Sequence, residues 1–445
     1  MTKTTLIRNV NIVNEGKVFK GDLRIKNDKI LSIASHIPLL QNENLVEGIN
    51  KYLIPGLIDD QVHFREPGFT NKGDIYSESR AAVAGGITSF IEMPNTNPQT
   101  TTMEKIEQKL EIASRTSVAN YGFMFGGTNS NFNEIKKIDE GKVAGLKLFL
   151  GSSTGNMLVN NKEVIKEIFE NSKLIISVHC EDELIIRKNL NHFFGIYGKH
   201  IPIKFHPKIR STEACFKSSS EAIKLALETG ARLHVFHLST GKETNLFSNK
   251  PIEEKQITSE VCTHHLFFSD KDYENKGYRI KWNPSIKTEE DRSALWNALN
   301  EDKIDVYATD HAPHTLQEKK LPYTESPSGG PLVQHGLLAM LDSVKEGKIT
   351  LEKLVEKSSH NPAKIFKIKK RGFLKENFYA DMVLIDLNGE TKVTKHNILY
   401  KCGWSPFEGH TFNSSVIKTW VNGKLLYDKG KIVESGPAKS LEYVR

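Results

Sequence analysis

Short apolar runs recur along most of this 445-residue chain, and six of them end in a residue able to bind a metal or move a proton. Leu53–Ile58 leads into Asp59, Gln61 and His63, Gly86–Met93 into Asn95, Val143–Leu146 into Lys147, Leu174–Val178 into His179, Leu233–Phe236 into His237, and Ile304–Thr309 into Asp310. Asn120–Phe125 and Gln256–Val261 bring the runs to eight. Eight strands alternating with helical stretches, with functional side chains at their C-terminal ends, are the pattern from which a (β/α)8 barrel builds an active site, because those ends share one mouth. The chain is therefore expected to be an α/β protein, a TIM barrel that gathers side chains distant in sequence.

A single barrel uses about 250 residues, so a chain of 445 residues leaves room for an appendage. From Thr4 to Tyr52 apolar and polar positions alternate, with turns at Asn14-Glu15-Gly16 and Lys20-Gly21, the pattern of small β-strands. The other end behaves alike: Asp381–Asp386 reads as a strand, and Val416–Val421, Asn422-Gly423 and Lys424–Tyr427 read as a hairpin. The two ends are expected to pair into one small composite β-sandwich domain, made of 1–52 and 376–445, with the barrel at 53–375. Helical patterns at Met103–Ala113, Lys162–Asn171, Ser218–Thr229, Glu289–Asn300 and Leu332–Lys345 follow strand candidates without Gly/Ser linkers between them, as one continuous barrel requires.

Composition excludes several function classes. Apolar residues make up 38% and charged residues 26% of the chain, the balance of an ordinary soluble globular protein. No stretch approaches a membrane span and Met1–Val10 lacks an apolar signal core, so a cytoplasmic protein without membrane attachment is expected. The net charge of +7 is small against 61 basic residues, and the one dense basic cluster, Lys367–Arg371, reads as a solvated loop, so no nucleic acid is expected as a partner. Cys180, Cys215, Cys262 and Cys402 show no CxxC spacing, which points to reduced thiols and away from a thiolate zinc site.

A lone histidine at a strand end is more often a hydrogen-bonded structural residue than a ligand. Here His63, His179, His237 and Asp310 occupy equivalent positions on separate strands, and imidazoles converging with a carboxylate suit zinc or a similar divalent ion. On a regular strand Asp59, Gln61, His63 and Arg65 would share one face. Lys147 stands among Leu146, Leu148, Phe149 and Leu150. Two accounts fit it: a stem packed in the core with its amine at the rim, or a desolvated neutral amine that takes up carbon dioxide as a carbamate, which can bridge two metals.

The motifs, taken together and in order, resemble the dihydroorotases of the amidohydrolase superfamily. They are Pro55-Gly56-Leu57-Ile58-Asp59 through His63-Phe64-Arg65-Glu66-Pro67-Gly68, Met93-Pro94-Asn95-Thr96, Lys147, Val178-His179-Cys180-Glu181, His234-Val235-Phe236-His237, Asn283-Pro284, Ala308-Thr309-Asp310-His311-Ala312-Pro313-His314, Asn361-Pro362-Ala363 and Ala380-Asp381. The resemblance implies one or two Zn2+ ions per chain. Position 61, His63, carbamylated Lys147 and Asp310 would surround one, and the same carbamate, His179 and His237 would hold the other. The family has a histidine where this chain has Gln61, and a neutral amide oxygen is a poorer zinc ligand than imidazole.

The implied reaction is the reversible hydrolysis of (S)-dihydroorotate to N-carbamoyl-L-aspartate in pyrimidine biosynthesis, with Asp310 as general acid and base. Arg65 can grip a carboxylate bidentately, and Asn95, Asn283, His314 and the backbone near Gly329 complete the implied substrate contacts. Arg65 could equally pair with Asp59 or Glu66, Asn95 cap a turn and His314 cap a helix. The resemblance leaves room for a homodimer and for docking on aspartate transcarbamoylase, and Ser152-Ser153-Thr154-Gly155 is a candidate closing loop. Two alternatives stay open: a cyclic amidase of the dihydropyrimidinase or allantoinase type, and a catalytically silent homologue acting as a scaffold.

Overall fold

The computed structural model describes residues 4–151 and 157–445. Eight parallel strands form the expected barrel: β1 (Leu57–Val62), β2 (Ile87–Glu92), β3 (Asn120–Phe123), β4 (Leu146–Phe149), β5 (Ile176–His179), β6 (Leu233–Val235), β7 (Ile257–Cys262) and β8 (Val306–Ala308). β1 pairs with β2 and β2 with β3. The chain beyond β3, Phe125-Gly126, pairs with β4, and parallel pairing continues in order to β8. The ring closes where Val62 bridges His311 in parallel and the His63 N–H donates to His311 O over 2.7 Å.

Capped helices cover the outside. Asp74 caps Ile75–Ala84 and shares a capping box with Ser77, and Thr102, Asn161, Ser211 and Thr288 cap Met103–Thr116, Lys162–Asn171, Thr212–Thr229 and Glu289–Asn300. Each cap accepts from an N–H that the first turn leaves without a partner. The patterns that began at Ser218 and Leu332 correspond to helices starting at Thr212 and Gly336. Glu183–Tyr197 is a further helix of 15 residues whose only buried side chain is Ile186.

The apolar run Leu53–Ile58 is divided between two sheets. Tyr52–Pro55 lies between Thr4–Asn14 and Met382–Asp386 in the terminal sheet, whereas Leu57 onward belongs to the barrel. The crossing falls at Gly56, where a Cβ would come within 2.2 Å of the Thr88 side chain, so only glycine lets the chain pass this close to β2. The N- and C-terminal strands form a nine-stranded sheet. Its Lys29–Ala34 edge meets the approach to Met382–Asp386, with the Ile30 N–H donating to Phe378 O and the Ala380 N–H to Asp28 O. The two layers expected of a sandwich thus arise from one sheet curling over a core that includes Ile12, Leu23, Ile30, Leu53, Met382 and Trp420. Among the described residues no helix is long and apolar enough to cross a membrane, and Cys180, Cys215 and Cys262 are buried and unpaired.

Candidate active site

A cavity of about 360 Å3 opens at the C-terminal ends of the barrel strands. Gln61, His63, Arg65, Asn95, His179, His237, Asn283, Asp310 and Gly329 line it. Lys147 and His314 lie just behind its wall, 0% and 1% exposed. The strand ends therefore bring together nearly every side chain singled out from the sequence. Arg65, His237 and Asp310 adopt φ of 72°, 40° and 47°, left-handed values that are uncommon outside glycine and cluster at functional sites.

The β5/β6 side of the mouth holds two imidazoles set edge to face, their planes 80° apart, with His179 Nδ1 3.0 Å from His237 Nε2. Burial pushes both rings down: at His179 against the Glu181 carboxylate and with Lys147, and at His237, which lies well below the ordinary histidine value, with the neighbouring His179 ring and Lys147. Neutral rings keep the lone pairs that metal binding needs. His179 Nε2 is 2.9 Å from Glu181 Oε2, and Arg210 holds Glu181 through Nε at 3.0 Å and through Nη2. Burial opposes ionisation of Glu181, but Arg210 and His179 outweigh it and keep the carboxyl well below its usual range.

On the β1/β8 side, His63 Nε2 lies 3.3 Å from Asp310 Oδ1 and His63 Nδ1 lies 2.8 Å from Asn95 Oδ1. That contact fixes the ring's orientation, as outer partners of metal-binding histidines do. Gln61 departs from this order, its Oε1 lying 4.0 Å from Cys262 Sγ. Burial raises Asp310 to about 7 against the pull of Lys147, His179 and Arg65. Lys147 Nζ has no hydrogen-bond partner and sits 4.0 Å from the centroid of the Phe236 ring. Burial lowers this amine to about 7. Converging neutral imidazoles, a facing carboxylate and an unpartnered buried amine are a donor set that fits divalent metal.

Arg65 donates from Nε to Pro313 O over 3.1 Å and from Nη2 to His314 Nε2 over 3.0 Å. Neither Asp59 nor Glu66 pairs with it: Asp59 accepts from Thr309, and Glu66 from the Ile75 N–H. His314 stands behind Arg65 and orients it. Asn283 Oδ1 is buried without a partner. At Gly329, φ is 125° and a Cβ would come within 2.5 Å of Ala312 O, so the position requires glycine. Its N–H donates to Lys281 O and its carbonyl accepts from Lys319 Nζ at 2.8 Å, so its polar backbone atoms are engaged within the fold.

The sequence reading missed Glu181, Arg210, Lys281 and Lys319. Glu181 lay inside a quoted motif without a role. Arg210 is contributed by the segment between β5 and β6, and the buried lysines carry no local signal of burial. Strand alternation also fails at β1. Asp59 pairs with Phe90 and Val62 with Glu92, so an extra residue forms a bulge at Asp60-Gln61, a device that re-aims side chains. The candidate closing loop Ser152-Ser153-Thr154-Gly155 lies outside the described residues.

An eight-stranded barrel with paired imidazoles, a buried lysine and an acid at one mouth has the architecture of a metal-dependent hydrolase. The amidohydrolase family model matches residues 52–426, and the chain belongs to that family. It is 32% identical over 414 residues to a dihydroorotase of Methanosarcina acetivorans, covering 91% of this chain and 88% of the relative, and 33% identical over 424 residues to a dihydroorotase of Pyrococcus furiosus, covering 95% and 89%. The resemblance read from the motifs thus extends over nearly the whole chain. Among solved structures, L-hydantoinase (dihydropyrimidinase) from Arthrobacter aurescens superposes with a TM-score of 0.94 at 26% identity, covering 99% of this chain and all of that one.

Proposed function

We propose that this chain is a dihydroorotase, interconverting (S)-dihydroorotate and N-carbamoyl-L-aspartate in pyrimidine biosynthesis. The observation that carries the reading is Arg65. It is a buried guanidinium in the cavity wall, with no carboxylate within ion-pair distance among the described residues, and it stands beside the donors that fit metal. A cyclic amide bearing a carboxylate supplies the missing anion.

His179, His237, His63 and Asp310 would hold Zn2+, with Lys147 as a carbamate joining one or two ions. The Lys147 amine bonds to the carbon of CO2 and loses a proton, leaving an anionic carboxylate. When bound, the metal supplies Lewis-acid activation of the ring carbonyl and of the attacking water. Asp310 is placed to accept at a carboxylate oxygen the proton of the attacking water as its oxygen bonds to the ring carbonyl carbon, and to return it to the ring nitrogen as the C–N bond breaks. Asn283 Oδ1 can accept a ring N–H, and Asn95 keeps His63 oriented. Gly329 shapes the wall beside Ala312 and His314. Association as a homodimer or with aspartate transcarbamoylase is compatible with this reading and stands as part of the proposal.

The hydantoinase likeness favours a second reading, a cyclic amidase acting on rings without a carboxylate. The test is ring opening of dihydroorotate by zinc-replete protein in bicarbonate, with Lys147→Ala and Asp310→Asn beside it. Turnover is expected in the parent, none above background in Lys147→Ala, and a loss of about 100- to 10,000-fold in Asp310→Asn. Absence of turnover in folded, metal-loaded parent would sink the proposal, and faster hydrolysis of unsubstituted hydantoin or dihydrouracil would move it to the second reading.

A further inference from the structure

Inside the barrel, one layer closer to the N-terminal strand ends than the mouth, three ionisable side chains meet. They are Asp60 from the β1 bulge, His234 from β6 and Glu260 from β7, each 0% exposed. Their donor atoms all lie within 4.8 Å of one another, with His234 Nε2 3.3 Å from Asp60 Oδ2 and 3.9 Å from Glu260 Oε2. We propose that Asp60, His234 and Glu260 form an internal site for a divalent transition cation, separate from the donors at the mouth.

Hydrogen-bond accounting carries the argument. Both oxygens of Asp60, Glu260 Oε2 and His234 Nε2 are buried without a hydrogen-bond partner. The remaining atoms of the cluster are engaged: His234 Nδ1 lies 2.7 Å from Thr258 Oγ1, and Glu260 Oε1 accepts from the His237 N–H at 3.2 Å and from Cys262 Sγ at 3.1 Å. These contacts aim the free atoms at one point. A proton on His234 is the competing occupant, and the two carboxylates favour it against burial. One N–H, however, serves one acceptor, and three carboxylate oxygens face it; burial and the Asp60 charge also raise Glu260, so protons alone satisfy these oxygens only with a second proton in the cluster. A divalent ion satisfies them together.

An imidazole and two carboxylates are ordinary ligands of Zn2+ and neighbouring first-row ions. Bonds of about 2.1 Å set adjacent ligand atoms about 3.0–3.4 Å apart, close to the shortest separation observed. The bulge is what makes the cluster: on a regular strand Asp60 would face away from Gln61, and here it reaches strands on the far side of the barrel. An ion here would brace the mouth through the Glu260 contact to the His237 backbone.

The test is crystallographic and independent of activity, so it stands or falls apart from the dihydroorotase reading. Crystals of the full chain loaded with Zn2+ are measured above and below the zinc absorption edge. An anomalous peak bounded by Asp60, His234 and Glu260 is expected, with Asp60→Asn retaining one zinc equivalent fewer than the parent. A loaded parent crystal with no peak between these three side chains overturns the proposal, whatever appears at the mouth and whether or not the variant folds.

Discussion

The two sides of the barrel mouth differ in how completely they are built. On the β5/β6 side, His179 and His237 present nitrogens 3.0 Å apart, and Glu181 and Arg210 lock the His179 ring from behind. On the β1/β8 side, His63 is oriented by Asn95 and faces Asp310, but Gln61 turns its oxygen toward Cys262. One side has its candidate donors supported two residues deep, the other offers two candidate donors and a neutral amide. On the proposed reading metal affinity is therefore concentrated at His179 and His237, with His63 and Asp310 as weaker donors on the side that also carries proton transfer and substrate reading.

The most direct way to break this comparison is His237→Ala. Turnover is expected to fall to background and bound zinc to fall to the equivalent assigned to Asp60, His234 and Glu260 inside the barrel, because the remaining imidazole on that side of the mouth lacks its counterpart; elemental analysis of the dialysed protein beside the ring-opening assay measures both. Unchanged zinc content would move the principal metal site to the β1/β8 side.

Arg210→Met tests the outer support. Removing one member of a buried ion pair costs about 3–5 kcal/mol, since Glu181 would be left buried without its counter-charge. The folded pKa of Glu181 is depressed below the ordinary 4.5, so its contribution to stability is fully present above about pH 4.5 and is lost as pH falls through the folded value. Urea unfolding of the parent should show stability declining below that pH, and Arg210→Met should flatten the decline. An equally steep acid limb in the variant would assign it to other carboxylates.

Arg65→Gln sharpens the assignment of the β1/β8 side to substrate reading. Loss of a charge-assisted hydrogen bond costs about 1.5–3 kcal/mol, about 10- to 150-fold in kcat/KM. The loss should fall on dihydroorotate and spare a ring without a carboxylate. Equal losses on both rings would make Arg65 a support of the cavity wall.

Most of the barrel was legible because strand period and helical spacing are local properties, and because functional side chains at strand ends mark the direction of each strand. What escaped depends on pairing across the fold. Nothing local distinguishes Leu53 from Leu57, yet one joins the curled sheet and the other the barrel. The alternation rule put Asp60 on the wrong face because the bulge is set by register with β2. Glu181 and Arg210 are separated by the helices Glu183–Tyr197 and His206–Ile209, so their pairing is visible only once these have packed. Lys281 and Lys319 look like surface lysines and instead hold backbone carbonyls around Gly329. The candidate donors were legible as residue types, as were Asn95 and His314, which turn out to orient His63 and Arg65; the ion pair behind His179 was not.

The smallest effect is expected at Gln61. It is 2% exposed, lines the cavity and makes its one long contact with Cys262. If the amide is not a ligand, Gln61→Ala leaves the His179/His237 donors intact and changes turnover within a few-fold, with zinc content unaltered. Gln61→His adds an imidazole beside His63 and should raise zinc retention on the β1/β8 side, read as slower metal loss to a chelator. A large loss of turnover in Gln61→Ala would place the amide oxygen in the working donor set and remove the asymmetry between the two sides. Faster metal loss in Gln61→His would mean that the bulged β1 cannot aim an imidazole from this position, so that strand geometry and not ligand chemistry separates the two sides of the mouth.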